Sequence, residues 1–232
     1  MFLKIFDADT YRNAFPICAA YLPLGLAYGI FAQAVGFDIV EIFFMSLFLF
    51  AITAQFIAIS MIASGASLAS VIITVFLINS RHFLYSTTLV SYLKNHSKKF
   101  LSLFAQGVAD ETFAVNLMKF SGGSWCSSRA LGVNILVHAT WVISSVIGGM
   151  LGESISLDIN IIGYMLTAML ICLWTYTLKD KTFIIAGIAG GLIAVLLVDL
   201  SATKANIIIA ALAAATLGYW LNTRRVRKYV ES

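Results

Sequence analysis

Residues 68–93 read LASVIITVFLINSRHFLYSTTLVSYL. The run exceeds the roughly 20 apolar residues that carry a helix across a bilayer. Its only strongly polar interruption, Asn79, Ser80, Arg81 and His82, falls at its centre. At about 1.5 Å per residue, Arg81 lies near the bilayer midplane, where an unpaired charge costs about 2.5 to 3.5 kcal/mol. It requires a partner at the same depth. The next apolar stretch, 100–119, supplies Asp110 and Glu111 near its own middle. Successive helical residues point about 100° apart, so both acids can face one site only if the helix is broken there.

The rest of the chain has the same character. Of 232 residues, 60% are hydrophobic and 11% charged, against roughly 25% charged in soluble domains. Mean hydropathy is +0.93. Apolar stretches recur at about 14–35, 41–63, 68–93, 100–119, 130–150, 160–178, 182–199 and 204–221. None alternates with the period of two that marks a membrane strand, and backbone in lipid must satisfy itself, so helices are expected. The expectation is an all-α integral membrane protein: a polytopic bundle of about eight hydrophobic segments, some broken or re-entrant, forming one transmembrane domain over residues 1–232. No internal repeat stands out.

Such a chain has no room for a soluble ATPase domain. The net charge of +4 is small enough to reflect membrane topology, and nucleic acid is not an expected partner. Residues 1–13, with Lys4, Asp7, Asp9 and Arg12, read as an uncleaved N-terminus. Cys18, Cys126 and Cys172 are scattered and read as packing residues. Neither an H-E-x-x-H set nor a G-x-S-x-G elbow is present, so the chain reads as a non-enzyme without metal or cofactor.

Orientation follows from Lys and Arg in the connections. If all eight segments cross, with a cytoplasmic N-terminus, ten basic residues fall inside and four outside, three of the latter being Lys94, Lys98 and Lys99. If 68–93 and 100–119 instead each enter and return on the inner side as broken helices, the split becomes thirteen to one.

Ionisable groups at midplane mark solute paths, proton relays or counter-ions. A purely structural Arg81–carboxylate pair is the competing reading. His82 beside Arg81 suits either a relay or an interhelical bond, and His138 an interhelical bond. Pro23 and Gly25 interrupt the first segment, which is expected to be kinked or unwound; an unwound turn would touch solute, whereas Gly25 with Gly29 would otherwise form a packing face. Gln55, inside the second segment, could bond a solute or a neighbouring helix.

The order Pro23-Leu24-Gly25 with Gly29, Ala54-Gln55, Asn79-x-Arg81-His82 with Tyr85-Ser86, and Asp110-Glu111-x-Phe113 resembles the AzlC family, the large subunits of two-component branched-chain amino acid exporters. The motifs span about the first 120 residues. Ile52 stands near a position where the family tends to have a small residue, and Ser80 replaces an apolar one. The resemblance implies a secondary transporter in a bacterial cytoplasmic membrane, exporting valine-like neutral amino acids with a small AzlD-type membrane subunit. Coupling to a proton gradient is the expectation, with no ATPase. Arg81 would receive the carboxylate, Asp110 or Glu111 the ammonium, and Asn79, His82, Gln55 and the Pro23/Gly25 break would support them. The alternative is a non-transporting membrane scaffold.

Overall fold

The structure is a computed structural model that describes residues 5–93, 96–123, 125–154, 181–200, 210, 213, 214, 216–220 and 223. Lys94, the segment expected at 160–178, most of that at 204–221 and the basic run Arg224 to Lys228 lie outside the described residues. Two compact units are distinguished, residues 1–166 and 167–232. Every described element is helical.

In the first unit, α1 (Ala8–Ala34) and α8 (Ser127–Ser154) pack along their whole length. Their sequences allow this because small residues line the seam. A Cβ on Gly25 would strike Ser144, one on Gly29 the backbone of Ser145 and Gly149, and one on Gly148 the backbone of Leu26. Contacts step upward together, from Thr10 with Gly132 to Gln33 with Gly152, so the two helices run parallel. Asp7 caps α1 by accepting from the Thr10 N–H at 2.9 Å and bridges to Arg129 at 2.6 Å, tying the two N-termini together. That backbone bond, with Arg129 nearby, holds the Asp7 carboxyl below its ordinary range. α1 continues through Pro16 and Pro23. The unwound turn at Pro23 and Gly25 is therefore corrected: the helix stays continuous, and Gly25 with Gly29 forms the packing face, set against α8.

The second apolar stretch is two half-length helices, α2 (Ile39–Phe48) and α3 (Ile52–Ala63), separated by Leu49 to Ala51. α2 starts beside the far end of the pair, with Ile42 where a Cβ on Gly149 would fall, and descends until Phe50 meets Tyr21 and His138. α3 climbs back, its Phe56 against Tyr28 and Phe31. This hairpin enters and leaves on the far side.

The deciding stretch forms α4 (Leu68–Asn79) and α5 (Arg81–Leu89), extended by a 3-10 turn over Val90–Tyr92. Ser80 keeps helical angles (φ −56°, ψ −25°), and the Ser80 and Phe83 N–H groups donate three residues back, so the axis tightens for one turn without reversing. Of the two alternatives for 68–93, re-entry is thus overturned: the run does not double back and is long and apolar enough to cross once. Re-entry does hold for the next stretch, which comprises α6 (Lys98–Gln106) and α7 (Asp110–Ser121). His96 reaches Ser127 at 2.8 Å and Tyr92 reaches Ser121 at 3.3 Å, so both ends of this hairpin lie at the Asp7–Arg129 end. Lys98 and Lys99 accordingly share a side with Arg129, which removes the charge anomaly.

Helices α2, α3, α6 and α7 have 10, 12, 9 and 12 residues. At 1.5 Å per residue each covers about half of a roughly 30 Å hydrocarbon core. The described helices long and apolar enough to cross are Ala8–Ala34, Leu68–Tyr92 and Ser127–Ser154. Among its described residues the first unit thus has three helices long enough to cross and two half-length hairpins in place of five full-length spans. It also contains a repeat that hydropathy hid: the ends 48, 52 and 63 recur 58 residues later at 106, 110 and 121. A crossing followed by a hairpin occurs twice, in opposite directions.

In the second unit, α9 (Lys181–Leu200) runs antiparallel to the described residues Ala214 and Gly218: a Cβ on Gly190 would meet Ala214 and one on Gly218 would meet Ala186.

Two outcomes follow from the first unit. A membrane-impermeant thiol reagent should label Lys98→Cys from the side that labels Ser127→Cys, and Ser64→Cys from the opposite side. Gly29→Val should lower stability by at least about 2 kcal/mol in detergent unfolding. Gly122→Ala, whose Cβ would meet nothing closer than 3.6 Å, should stay within about 1 kcal/mol of the parent.

Candidate functional site

A helix that stops midway leaves backbone groups without partners. At the C-terminus of α2 these are carbonyls: Gln106 Nε2 donates to Leu47 O at 2.9 Å and to Phe48 O at 3.3 Å, and His138 Nε2 approaches Ser46 O at 3.3 Å. At the start of α7, Thr112 Oγ1 accepts from the Ala109 N–H at 2.8 Å. Two acids in the first turn then complement the helix dipole. Phe104 O, in the last turn of α6, accepts from Asn134 Nδ2 at 3.0 Å. Asn134 in turn accepts from Asn116, which accepts from Trp125. Gly107 is required at this turn because a Cβ would press on Asn134.

The break before α7 lets adjacent acids turn apart. Asp110 takes Arg81 Nη1 on one oxygen at 2.7 Å and the Tyr85 hydroxyl on the other at 2.7 Å. Glu111 accepts from the Tyr21 hydroxyl at 2.6 Å. Among the described residues no basic side chain lies within 4 Å of Glu111. Arg81 Nε is buried and bonded to nothing. The depth match between Arg81 and Asp110 is therefore real, and the pair joins the crossing helix α4–α5 to the α6–α7 hairpin.

Between the hairpin tips lies a cleft of about 180 Å³, lined by Phe48, Leu49, Phe50, Ala51, Asn79, His82, Ala105, Gln106 and Val108. Asn79 Oδ1 is buried and unpartnered. His82 Nδ1 lies 3.0 Å from Asn79 O. A second, more apolar hollow of about 260 Å³ touches the same two residues along with Phe76, Phe83 and Ser86. Arg81, Asp110 and Glu111 do not line the tip cleft, so of the expected site residues only Asn79 and His82 face it.

Gln55 is fully buried, accepting from Trp141 Nε1 at 2.7 Å, which turns its amide nitrogen into a space without an acceptor. It belongs to the packed seam of α1, α3 and α8, as do Pro23 and Gly25 of α1. His138 makes the interhelical bond expected of it. Sequence reasoning gave no role to Tyr21, Tyr85 and Gln106. Tyr85 was within reach, four residues after Arg81 and hence on the same helix face. Gln106 is a polar residue inside an apolar stretch, whereas nothing local marks Tyr21. No cluster of three metal-ligating side chains occurs among the described residues.

Crossing helices with opposed half-length hairpins and an ion pair at their junction define an integral membrane protein with re-entrant helices. The chain belongs to the AzlC family: the model described as AzlC protein matches residues 16–155. An uncharacterized membrane protein of Helicobacter pylori strain ATCC 700392 / 26695 is 32% identical over 78% of this chain and 79% of its own. One from Archaeoglobus fulgidus is 31% identical over 89% and 91%. The branched-chain amino acid transport protein AzlC of Bacillus subtilis is 28% identical over 71% and 66%. No solved structure matches the chain.

The ion pair predicts coupled energetics. In a double-mutant cycle, Arg81→Gln and Asp110→Asn should show about 0.5 to 3 kcal/mol of interaction in thermal unfolding of the purified protein. Additive effects would mean that the pair does not hold the two elements together.

Proposed function

We propose that the protein is a secondary transporter that exports branched-chain or similar neutral amino acids across a bacterial cytoplasmic membrane. In this reading residues 1–232 form one transmembrane domain, which works with a small AzlD-type membrane subunit and without an ATPase. The observation that carries the proposal is the unsatisfied edge of Arg81: Asp110 occupies Nη1, while Nε stays buried and without an acceptor. A guanidinium recognises a carboxylate through two adjacent N–H groups, and that edge offers one of them. Family membership and the name of the Bacillus subtilis relative favour an amino acid as the bearer of the carboxylate.

Discontinuous helices in transporters place backbone ends beside the solute near the bilayer centre, and two inverted hairpins supply that arrangement here. One acid neutralises Arg81. Glu111, bonded to a tyrosine hydroxyl and with no basic side chain within 4 Å among the described residues, is the group to which this reading gives the proton. Asn79 and His82 border the solute cleft, while Gln55, Pro23 and Gly25 support it from the packed seam.

Efflux from valine-loaded vesicles carrying both subunits tests this. Arg81→Gln and Asp110→Asn should each reduce flux about 10-fold or more, on the scale of one charged hydrogen bond, while inserting normally. Glu111→Gln should retain valine exchange but lose acceleration by a proton gradient. Unchanged flux in both Arg81→Gln and Asp110→Asn rejects the site, and vesicles impermeable to valine with the parent chain favour a scaffold.

A further inference from the structure

We propose that the cleft between the hairpin tips binds a primary ammonium group, on the carbonyl oxygens of Leu47 and Phe48 together with Asn79 Oδ1, and that the Gln106 amide is the intramolecular stand-in for that ammonium. The inference rests on the reading of the solute as an amino acid, and it moves the ammonium away from Asp110 and Glu111. Asp110 has a donor on each oxygen, Glu111 holds the Tyr21 hydroxyl on one, and neither acid lines the cleft.

The last carbonyls of α2 have no intrahelical partner and sit at the negative end of the helix dipole. Gln106 Nε2, one nitrogen with two hydrogens, meets two of them at 2.9 Å and 3.3 Å. A primary ammonium makes the same demand with one hydrogen more, and the buried, donorless Asn79 Oδ1 is an acceptor for the third. Phe48, Asn79 and Gln106 line one cleft, and the Gln106 amide reaches from it to the Leu47 carbonyl. Among the described residues no acidic side chain lines it. A site built from neutral dipoles suits a monocation that brings its own hydrogen-bond donors, whereas a hard divalent cation calls for carboxylate ligands. Leu49, Phe50 and Val108 add apolar wall for an aliphatic side chain.

Gln106 is itself solvent-accessible at the end of α6, so its amide can swing aside. The ammonium would then remake both bonds that Gln106 gives up. The same swing unfastens the α6–α7 hairpin from the α2–α3 hairpin, because the Gln106 bonds to Leu47 and Phe48 span the two tips.

Calorimetric titration of the full chain with its small subunit in lipid nanodiscs tests the assignment, using isobutylamine, L-valine and 3-methylbutanoate, the last lacking the amine. Isobutylamine should bind the parent. Gln106→Ala should tighten it about 5-fold by removing the competing amide, and Asn79→Leu should weaken it about 10-fold, each on the scale of a single hydrogen bond. Neither variant should alter 3-methylbutanoate. Absence of isobutylamine binding, or equal affinity in parent and both variants, overturns the subsite. If isobutylamine binds and responds while valine does not bind, the subsite stands and the amino acid reading falls. If valine binds equally in all three proteins, the reverse holds. Should Asn79→Leu fail to insert, Gln106→Ala decides alone: tighter binding supports the subsite and unchanged binding overturns it.

Discussion

A helix that ends inside a membrane exposes backbone groups that lipid cannot satisfy, and this constraint organises the first unit. Four half-length helices create four such ends. Gln106 and His138 cover the carbonyls of α2, Thr112 covers the start of α7, and Asn134 takes a carbonyl in the last turn of α6. Thr112 belongs to α7 itself, whereas the other caps come from elements that must already be in place. The hairpins are therefore held by side chains of their neighbours and of each other, and the polar residues of this apolar chain gather where helices stop.

Against these polar junctions stands the α1–α8 pair, whose seam of glycine and serine brings two backbones together without charge except at its Asp7–Arg129 end. Van der Waals packing of small residues is how helices associate where water exclusion gives no drive. The crossing helix α4–α5 is different. Its Phe76, Phe83 and Leu84 are more than 60% exposed within the described structure, and its firm links are Arg81 and Tyr85 on Asp110 and the aromatic pairs of Tyr85 with Phe113 and Tyr92 with Phe120. A frame of close-packed helices thus carries an element fastened through one carboxylate, a few rings and the buried Leu89, which packs in a core cluster with Phe104 and Leu131.

The inverted repeat is symmetric in backbone and asymmetric in chemistry. Arg81, Asp110 and Glu111 fall 58 residues after Pro23, Ile52 and Thr53. One copy carries all three charges, and the other carries a proline and uncharged residues. Side-chain identity therefore conceals the repeat, and it emerges only when helix ends are compared. The near-side hairpin has become the charged partner of the pair, while the far-side hairpin offers carbonyls.

Much of this was legible in the residues themselves. The midplane arginine demanded an acid at equal depth, and Asp110 answers it. Two adjacent acids demanded a broken helix, and Gly107 to Ala109 provide the break. Gly25 with Gly29 announced a packing face. The break at Leu49 to Ala51 had no such mark, since no proline or glycine stands there and the turn is held from outside by Gln106 and His138. The pairing of ends was equally silent: an apolar run of about twenty residues has the same composition whether it crosses once or folds back as two halves. Local chemistry therefore determined the membrane class, the helices and the charged partners. Whether a run crosses or returns was decided by contacts such as His96 with Ser127, because direction in a bilayer is a property of which distant side chains meet.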